Sequence, residues 1–371
     1  MTKSSNRTEN DVVRIALVGY GLAGSVFHAP LIQYTEGLEI AAIVTRDPVR
    51  QAAAQADFPE ALIVDDVTKI WSNAGEYDLA VIATPNSSHA PLAMAALDAG
   101  LNVVVDKPMA TTVADCEQLV AASRTNKRLL SVFQNRRWDG DFLTVSLLVR
   151  SNNLGSINRF ESRFERWRPV PKANAWRETG GHDQGAGLLY DLGSHLIDQA
   201  MTLLGEPISV YAEMNARRAG VETDDDCFVA LTFADGVRAH LWASAMARNP
   251  GCRFRLCGMK GTFEKRGLDP QEDALRAGRR PNTANWGAEP SEFWGNIWSE
   301  RDGLNHEGRV ETLRGDYPAF YQQMRDAIVN GAPVPVDPAD GIKTLRVIEA
   351  ALRSAGEGIV VDLREEKPVA K

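Results

Sequence analysis

An apolar, β-branched segment that ends in the glycine-rich sequence GYGLAG constrains the fold of this chain more than any other feature. The segment Val12–Val18 is typical of a buried strand, and a helical pattern follows as far as Ile32. Gly19 permits a tight turn after the strand, Gly21 lets the backbone approach a pyrophosphate, and Gly24 lets the helix lie close to the strand. Free N–H groups at the start of that helix suit phosphate oxygens. The sequence therefore predicts a dinucleotide-binding loop.

Strands and helices alternate from this loop to about residue 136. Five more apolar segments are interpreted as strands, with helical patterns between most of them: LEIAAIVTRDP, ALIVDD, DLAVIATP, LNVVVDKP and LLSVFQNR. This alternation predicts a parallel sheet covered by helices on both faces, a doubly wound α/β (Rossmann) domain over residues 11–136. Ligands bind at the carboxyl ends of the strands in such sheets, so the residues that follow the strands should line one edge.

The end of the second strand indicates which dinucleotide is preferred. An NAD site usually carries an acidic residue there, whereas this chain has Thr45 and Arg46, followed by Asp47. A hydroxyl beside a guanidinium suits a 2′-phosphate, so we predict NADP; NAD is the alternative if Asp47 turns onto the ribose. The predicted cofactor-binding residues are Gly19, Tyr20, Gly21, Leu22, Ala23, Gly24, Thr45, Arg46, Thr84, Pro85, Asn86, His89, Asp106, Lys107 and Pro108.

The composition argues against several classes of protein. The net charge of -8 disfavours nucleic acid as a partner, because phosphate binding needs a basic face. Charged residues interrupt every apolar stretch before it could span a bilayer, and the polar sequence MTKSSNRTENDVVR lacks the apolar core of a secretory signal. The 4 cysteines form no CxxC pair and are typical of buried thiols in a reducing compartment. We therefore expect a cytoplasmic protein that binds neither nucleic acid nor membrane.

The sequence LYDLGSHLIDQA carries two carboxylates and a histidine at helical spacing. Asp191, His195 and Asp198 stand at positions i, i+4 and i+7, so a regular helix would present them on one inward face. Buried carboxylates beside a histidine are costly unless they are paired or functional. Three interpretations are open: a metal site, a proton relay and a structural histidine. A metal ion would need further ligands, and no HxH, ExxH or cysteine cluster supplies them, so no metal is predicted.

Five motifs in this order resemble the glucose–fructose oxidoreductase / inositol dehydrogenase (Gfo/Idh/MocA) family. They are the glycine loop, IATPNSSHA, DKPMA, FQNRRWDGDF and GAGLLYDLGSHLIDQ. The similarity is closest to the members that read GYG…GSVFH and include scyllo-inositol dehydrogenases. Asp106 stands where the family commonly has Glu, so the carboxylate is kept with a reach shorter by one methylene.

The resemblance implies that residues 137–371 form an α+β domain with a large, mostly antiparallel open sheet, which in many relatives is the oligomer interface. We therefore expect a homodimer or homotetramer. Near-alternating strands after residue 137 and an ADG turn at 234–236 agree with antiparallel hairpins. The tryptophan-rich sequence SEFWGNIWSERDGLNHEGRVET, residues 291–312, is expected to be an irregular surface segment near the cleft or an interface, and the sequence assigns no role to the tryptophans in 286–298. Two helices should follow at about 317–330 and 338–357, the second begun by Asp337, and these can pack back on the first domain.

The resemblance also implies catalytic roles for Lys107, Asp191 and His195. The pKa of a free histidine, about 6.5, suits proton exchange with a hydroxyl, and Asp191 one turn earlier could accept a hydrogen bond from the ring. A cation at Lys107 would lower the cost of developing alkoxide character. Relatives also imply a cis peptide before Pro108. The candidate substrate-binding residues are Asn135, Arg136, Trp176, Arg177 and His195.

The motifs together predict an NAD(P)-dependent oxidoreductase. It would move a hydride between nicotinamide and a secondary alcohol or carbonyl of a sugar, an inositol-like polyol or a sugar derivative. Two alternatives are a dinucleotide-binding sensor or regulatory protein of the same fold, and a reductase of imine or enone-like bonds. The presence of both Lys107 and His195 favours a dehydrogenase.

Overall fold

A six-stranded parallel sheet forms the first part of the computed structural model, which describes residues 12–172 and 176–364. Its strands are β1 (Val13–Val18), β2 (Leu38–Val44), β3 (Leu62–Val64), β4 (Leu79–Ile82), β5 (Asn102–Asp106) and β6 (Leu130–Phe133). They lie in the order β3-β2-β1-β4-β5-β6, with every neighbouring pair parallel. This is the doubly wound order of a Rossmann domain and confirms the predicted fold class.

The described ranges leave out residues 1–11, 173–175 and 365–371. The end points predicted for the two domains at residues 11 and 371, and most of the N-terminal sequence assessed for a secretory signal, therefore lie outside the described residues. Within the described ranges, no helix combines the length and the apolar character that crossing a bilayer requires.

Helices connect the strands of the first sheet, and two of them begin at side-chain caps. The helices are α1 (Ala29–Gln33), α2 (Pro48–Asp57), α3 (Thr68–Trp71), α4 (His89–Asp98) and α5 (Val113–Asn126). Asp47 accepts hydrogen bonds from the backbone N–H groups of Val49 and Arg50, and Thr112 accepts one from Asp115 N–H. These side chains satisfy donors that a helix leaves free at its first turn, which explains where α2 and α5 begin.

A nine-stranded sheet forms the second part of the structure. Its strands are β7 (Ile157–Glu165), β8 (Ser209–Asn215), β9 (Asp226–Thr232), β10 (Arg238–Ser244), β11 (Phe254–Gly258), β12 (Gly261–Lys265), β13 (Gly295–Arg301), β14 (Leu304–Val310) and β15 (Val361–Asp362). The order is β14-β13-β12-β11-β7-β10-β9-β8-β15, in which only the β7–β10 pair is parallel. The predicted large, mostly antiparallel sheet is thus confirmed, and residues 234–236 form the turn between β9 and β10.

The tryptophan-rich segment is more regular than its sequence suggested. Residues 295–298 belong to β13, which pairs with β14 in a hairpin at the edge of the large sheet. Between the two strands, Asp302 and Gly303 both have positive φ, 55° and 76°, as a tight hairpin turn of this kind requires. Most of β14 is exposed, so the hairpin lacks the apolar alternation that marks a half-buried strand. The Asp-Gly pair was the feature that could have predicted it.

The C-terminal helices return to the first sheet. The helices of the second part are α6 (Gly140–Arg150), α7 (Trp176–Thr179), α8 (Ser194–Leu204), α9 (Gln271–Arg276), α10 (Pro318–Asn330) and α11 (Pro338–Glu357). Asp337 caps α11 as predicted, accepting from Ala339 N–H at 2.8 Å. Glu349 on α11 accepts from the backbone N–H of Val113 at 2.7 Å, and Ser131 on β6 donates to the Val336 carbonyl at 2.9 Å. These contacts join the C-terminal segment of the chain to the first sheet and its helices.

Candidate active site

The glycine loop has the close backbone approaches that its sequence predicts. Gly19 follows β1 with a φ of 103°, and a Cβ atom there would lie 2.4 Å from the Ala83 carbonyl oxygen. A Cβ at Gly24 would lie 2.0 Å from the Gly19 carbonyl oxygen. A Cβ at Gly21, by contrast, would meet nothing nearer than a guanidinium nitrogen of Arg50 at 3.5 Å. Gly19 and Gly24 are therefore required by packing within the protein, and Gly21 leaves its outer side open.

Arginine side chains surround the end of β2. Arg46 follows the strand and is exposed, while Arg50 on α2 reaches back over the glycine loop. Asp47 is held as the N-cap of α2 and lies 3.5 Å from the Arg50 guanidinium, so it is engaged away from a ribose. Arg50 is a candidate cofactor residue that the sequence analysis missed; its place in the first turn of the helix that follows β2 was the available indication.

Most of the other predicted cofactor residues lie at the carboxyl edge of the first sheet, in the segments that follow β1, β2, β4 and β5. They are Leu22, Ala23, Thr45, Thr84, Pro85, Asn86, Asp106, Lys107 and Pro108. Asn86 is buried and donates to the Gly185 carbonyl at 2.8 Å, which links this edge to the second part of the chain. The Lys107–Pro108 peptide is cis, as the resemblance implied.

Two of the predicted residues turn their side chains away from the cleft. The Tyr20 side chain is buried, and its hydroxyl donates to Asp57 at the end of α2 at 2.6 Å. His89 is fully buried, with its ring nitrogens 2.8 Å from the carbonyl oxygens of Thr84 and Pro108. The sequence allowed either a cofactor contact or a hydrogen bond at the helix start for His89. The structure has the hydrogen bonds, and the ring is enclosed between the ends of β4 and β5.

Lys107 and Asp191 form an ion pair across the cleft. The Lys107 Nζ donates to the Asp191 Oδ1 at 2.9 Å and also to the Asp191 backbone carbonyl, and Arg177 Nε lies 3.5 Å from the same Oδ1. Burial alone would raise the pKa of Asp191, but the Lys107 ammonium and the guanidinium groups of Arg177 and Arg166 hold it well below its ordinary value. Asp191 is thus a permanent anion that holds two cations at the site.

The expected hydrogen bond between Asp191 and His195 is replaced by other contacts. Residues Leu189–Gly193 form a π-helical turn before α8 begins at Ser194, so the regular i, i+4 geometry is lost. The wider turn directs Asp191 to Lys107 and leaves His195 to a different partner. π-helical turns of this kind occur frequently at functional sites, and the inserted turn is why helical spacing misplaced the carboxylate.

His195 instead bonds to Gln134, the residue that follows β6. Its Nδ1 lies 3.1 Å from the Gln134 Oε1, and both residues are buried, with 4% and 3% of their surface exposed. Burial, with the nearby charges of Lys107, Arg136 and Arg253, lowers the pKa of His195 well below its ordinary value. The imidazole is therefore neutral at pH 7 and able to accept a proton.

Asp198 belongs to a structural ion pair. Arg137 donates to both carboxylate oxygens of Asp198, at 2.8 and 2.6 Å, and to Asp340 on α11 at 3.0 Å. This arrangement joins the end of β6, α8 and α11. The three residues Asp191, His195 and Asp198 do not converge on one point, which removes the geometric basis of the metal interpretation.

The predicted substrate residues separate into two groups. Arg136 is buried and donates to Glu272 at 2.6 Å. Its guanidinium is thus held in an ion pair within the protein and does not face a substrate as proposed. Asn135 is also buried in the same turn. Arg177, which lies beside Asp191 and over the Trp176 ring at 4.5 Å, remains at the cleft.

Arg166, at the end of β7, is a cleft residue that the sequence analysis did not single out. Its guanidinium is close enough to Asp191 to lower the pKa of that carboxyl, and burial with neighbouring Arg168 lowers the pKa of Arg166 itself. Within residues 12–172 and 176–364 its side chain has no hydrogen-bond or ion-pair partner. Its five N–H donors are thus available to oxygen atoms of a ligand.

His28, at the end of the helix segment after the glycine loop, is enclosed between the two parts of the chain. Its Nδ1 lies 2.6 Å from the Tyr321 hydroxyl of α10, its ring centre is 4.3 Å from that of Phe133, and its Nε2 lies 4.0 Å from the Asp106 carboxylate. The ring is fully buried, and this burial lowers its pKa to about 4. His28 is thus a neutral packing residue behind Asp106.

Buried neutral histidines should make the stability of the protein depend on pH. Burial lowers the pKa of His28 and His195, whereas in the unfolded chain each takes up a proton near pH 6.5. The unfolded state therefore binds more protons, and the free energy of unfolding should fall with decreasing pH by up to about 1.4 kcal/mol per unit for each group.

Urea denaturation from about pH 6.5 to about pH 4.5 tests this prediction. In His28→Phe, the free energy of unfolding should depend less steeply on pH. The decrease in slope should correspond to about one proton fewer taken up on unfolding. Tyr321→Phe is the matched control, because it removes the hydrogen bond to His28 and keeps the buried imidazole. An unchanged slope in His28→Phe would contradict the assignment.

The fold and the site define an oxidoreductase with a dinucleotide-binding Rossmann domain. Residues 13–134 match the family model described as an oxidoreductase family with an NAD-binding Rossmann fold, and residues 147–363 match the corresponding C-terminal alpha/beta domain. The chain belongs to the Gfo/Idh/MocA family.

Similar proteins align over nearly the whole chain. It is 37% identical over 357 residues to the scyllo-inositol 2-dehydrogenase (NADP(+)) IolW of Bacillus subtilis, covering 96% of this chain and 98% of that protein. It is 40% identical over 354 residues to the oxidoreductase YdgJ of Escherichia coli, covering 93% and 97%. The solved structure of the oxidoreductase YvaA of Bacillus subtilis superimposes with a TM-score of 0.91 at 37% identity, covering 96% of this chain and 100% of that one.

Proposed function

We propose that this protein is an NAD(P)-dependent dehydrogenase that oxidises a secondary alcohol of a polyol or sugar, or reduces the corresponding carbonyl, with His195 as the acid/base. The observation that carries this proposal is the convergence of Lys107, Asp191 and His195 beside the carboxyl edge of the Rossmann sheet. That edge is also where ligands bind in doubly wound sheets.

The residues at this edge fit a dinucleotide. The open outer side of Gly21 accommodates a pyrophosphate, which a side chain would obstruct, and the backbone N–H groups that follow would bind its oxygens. Arg46 and Arg50 would hold a 2′-phosphate, and Asn86 and Lys107 would border the nicotinamide. When bound, the nicotinamide supplies the acceptor for the hydride.

The side chains of the site would carry out proton transfer, stabilise charge and bind the substrate. The neutral His195 takes the proton of the substrate hydroxyl, and its buried position keeps it neutral beforehand. The Lys107 ammonium stabilises the negative charge that develops on the substrate oxygen. Asp191 holds Lys107 and Arg177 in place, and the free donors of Arg166 and Arg177 suit the hydroxyl oxygens of a polyhydroxylated ring.

A substrate panel tests the proposal. The similarity to the scyllo-inositol 2-dehydrogenase IolW supports a cyclic polyol as substrate. Purified protein should be mixed with NADP⁺ or NAD⁺ and scyllo-inositol, myo-inositol or simple aldoses, and the reduced nicotinamide followed by its absorbance. Turnover on at least one secondary alcohol is expected. Tight dinucleotide binding without turnover on the whole panel would contradict the proposal and favour the sensor alternative.

We propose NADP as the preferred dinucleotide, because Arg46 and Arg50 stand at the end of β2 and Asp47 is occupied as a helix cap. Arg46→Asp should weaken NADPH binding by roughly 10- to 100-fold, the equivalent of one charge-assisted hydrogen bond and added repulsion. Binding of NADH should change less than about threefold. Fluorescence titration with both nucleotides measures the difference, and an equal loss for both would show that Arg46 does not bind the 2′-phosphate.

We also propose that the outer face of the nine-stranded sheet associates with a second copy of the chain. Phe228 and Trp242 are half-buried there, with ring centres 5.1 Å apart, and Arg163 lies 3.8 Å above the Trp242 ring. Such an aromatic patch with an arginine is typical of protein interfaces. Light scattering of the purified protein distinguishes a dimer or tetramer from a monomer.

A further inference from the structure

The contact between Gln134 and His195 links two parts of the chain at the reacting group. Gln134 directly follows β6, and His195 is the second residue of α8. The Gln134 Oε1 and the His195 Nδ1 are 3.1 Å apart, and both side chains are almost fully enclosed. Neither group therefore has the freedom to exchange this contact for one with water.

We propose that Gln134 is a positioning residue that determines which ring nitrogen of His195 faces the substrate; this inference rests on the proposed function. A neutral imidazole has one N–H and one lone pair, and a carbonyl oxygen can only accept a hydrogen bond. Gln134 therefore places the hydrogen on Nδ1. The lone pair is then on Nε2, the nitrogen that remains to take the hydroxyl proton.

An amide suits this position better than a carboxylate would. The charged groups that face His195 are Lys107, Arg136, Arg253 and Asp191, and of these Asp191 is already held by the Lys107 ammonium. A second carboxylate beside the ring would stabilise the imidazolium and raise the pKa of the histidine. The neutral Gln134 orients the ring without adding charge, so the imidazole stays unprotonated before the reaction.

The same hydrogen bond persists through the proton transfer. As the substrate C–H bond breaks and its electron pair leaves with the hydride, the O–H proton moves to Nε2 and the carbonyl forms. The Nδ1–H continues to donate to Gln134 Oε1, because the imidazolium carries a hydrogen on both nitrogens. The base therefore changes charge without reorienting, which is what preorganised sites require.

The tautomer of His195 can be measured without any substrate. Nitrogen-15 histidine NMR of the full chain should show one ring with its hydrogen on Nδ1 and its lone pair on Nε2 at neutral pH, and this resonance should be missing in His195→Ala. In Gln134→Leu the same ring should become a mixture of tautomers. A wild-type ring with its hydrogen on Nε2 would overturn the proposal.

Kinetic measurements test the consequence for the reaction. Gln134→Leu should lower kcat by roughly 10- to 100-fold with KM changed little, because only part of the contribution of the base is lost. Gln134→Glu should retain most of the activity at high pH and move the acid limb of the pH–rate profile upward by about one unit or more. A merely structural role for Gln134 would not shift that limb.

The controls separate this inference from the proposed function. Gln55→Leu removes an amide whose Nε2 bonds to the Pro59 carbonyl on the exposed surface and should leave kcat unchanged. If wild-type protein oxidised no alcohol, the proposed function would be wrong and the tautomer would still be measured by NMR. If wild-type protein turned over and the pH profile of Gln134→Glu superimposed on it, the positioning role would be wrong.

Discussion

Replacement of His195 by alanine is expected to lower kcat for alcohol oxidation by roughly 10²–10⁴-fold, the range that general acid–base groups contribute. The imidazole is the buried neutral base beside Lys107, and alanine offers no group to accept the hydroxyl proton. Binding of NADPH should be retained, because the glycine loop lies on another element. Stopped-flow or steady-state assays on the substrate found in the panel measure the loss.

Two controls accompany the His195 variant. His306→Ala, on the exposed strand β14, should leave kcat unchanged and shows the effect of removing a histidine elsewhere. Thermal denaturation of His195→Ala should show a folded protein, since only a small cavity is added near Phe164. Full turnover by folded His195→Ala would show that another group accepts the proton.

Replacement of Lys107 by methionine should lower kcat by roughly 10²–10³-fold, comparable to the loss of one oxyanion donor. The variant also leaves the Asp191 carboxylate with the guanidinium groups of Arg177 and Arg166 as its remaining nearby cations, so the pKa of Asp191 should rise toward its ordinary value. Loss of the ion pair should lower the free energy of unfolding at pH 7 by about 1.5–3 kcal/mol. Parallel kinetic and urea-denaturation measurements give both effects.

The loss of unfolding free energy in Lys107→Met should depend on pH in a definite direction. The folded-state pKa of Asp191 is depressed, so the pair contributes fully above the unfolded value of about 3.9 and is lost as the pH falls through the folded value. Lys343→Met, which breaks an exposed pair with Glu206, is the control for removal of a lysine. An unchanged kcat in Lys107→Met would show that the ammonium does not stabilise the reacting oxygen.

Much of the fold was accessible from the sequence, because the constraints involved are local. Gly19 and Gly24 cannot carry a side chain, and this requirement is visible as a fixed glycine spacing after an apolar strand. Continuous apolar strands separated by helices predict a parallel sheet, and near-alternating strands predict an antiparallel one. The hairpin of β13 and β14 was missed because β14 is exposed and carries no apolar alternation.

The contacts within the candidate site could be predicted less well from the sequence. Lys107, Asp191 and His195 were recognised as residue types with the right chemistry, but the expected hydrogen bond between Asp191 and His195 is replaced by contacts with other residues. Asp191 lies in a π-helical turn before α8 and forms an ion pair with Lys107, and His195 contacts Gln134. Helical spacing assumes one regular geometry, and a single wider turn changes the direction of the side chains within it.

The residue pattern along the chain was enough to predict the dinucleotide loop and the parallel sheet. The resemblance to the family added the large antiparallel sheet and the catalytic residues. The partner of each catalytic side chain depended instead on how distant segments meet: His195 and Gln134 are 61 residues apart, and Lys107 and Asp191 are 84 apart. A hydrogen bond forms only when two atoms lie within about 3 Å with the correct direction. That precision comes from the packing of β5, β6 and α8 against one another, which no spacing along the chain contains.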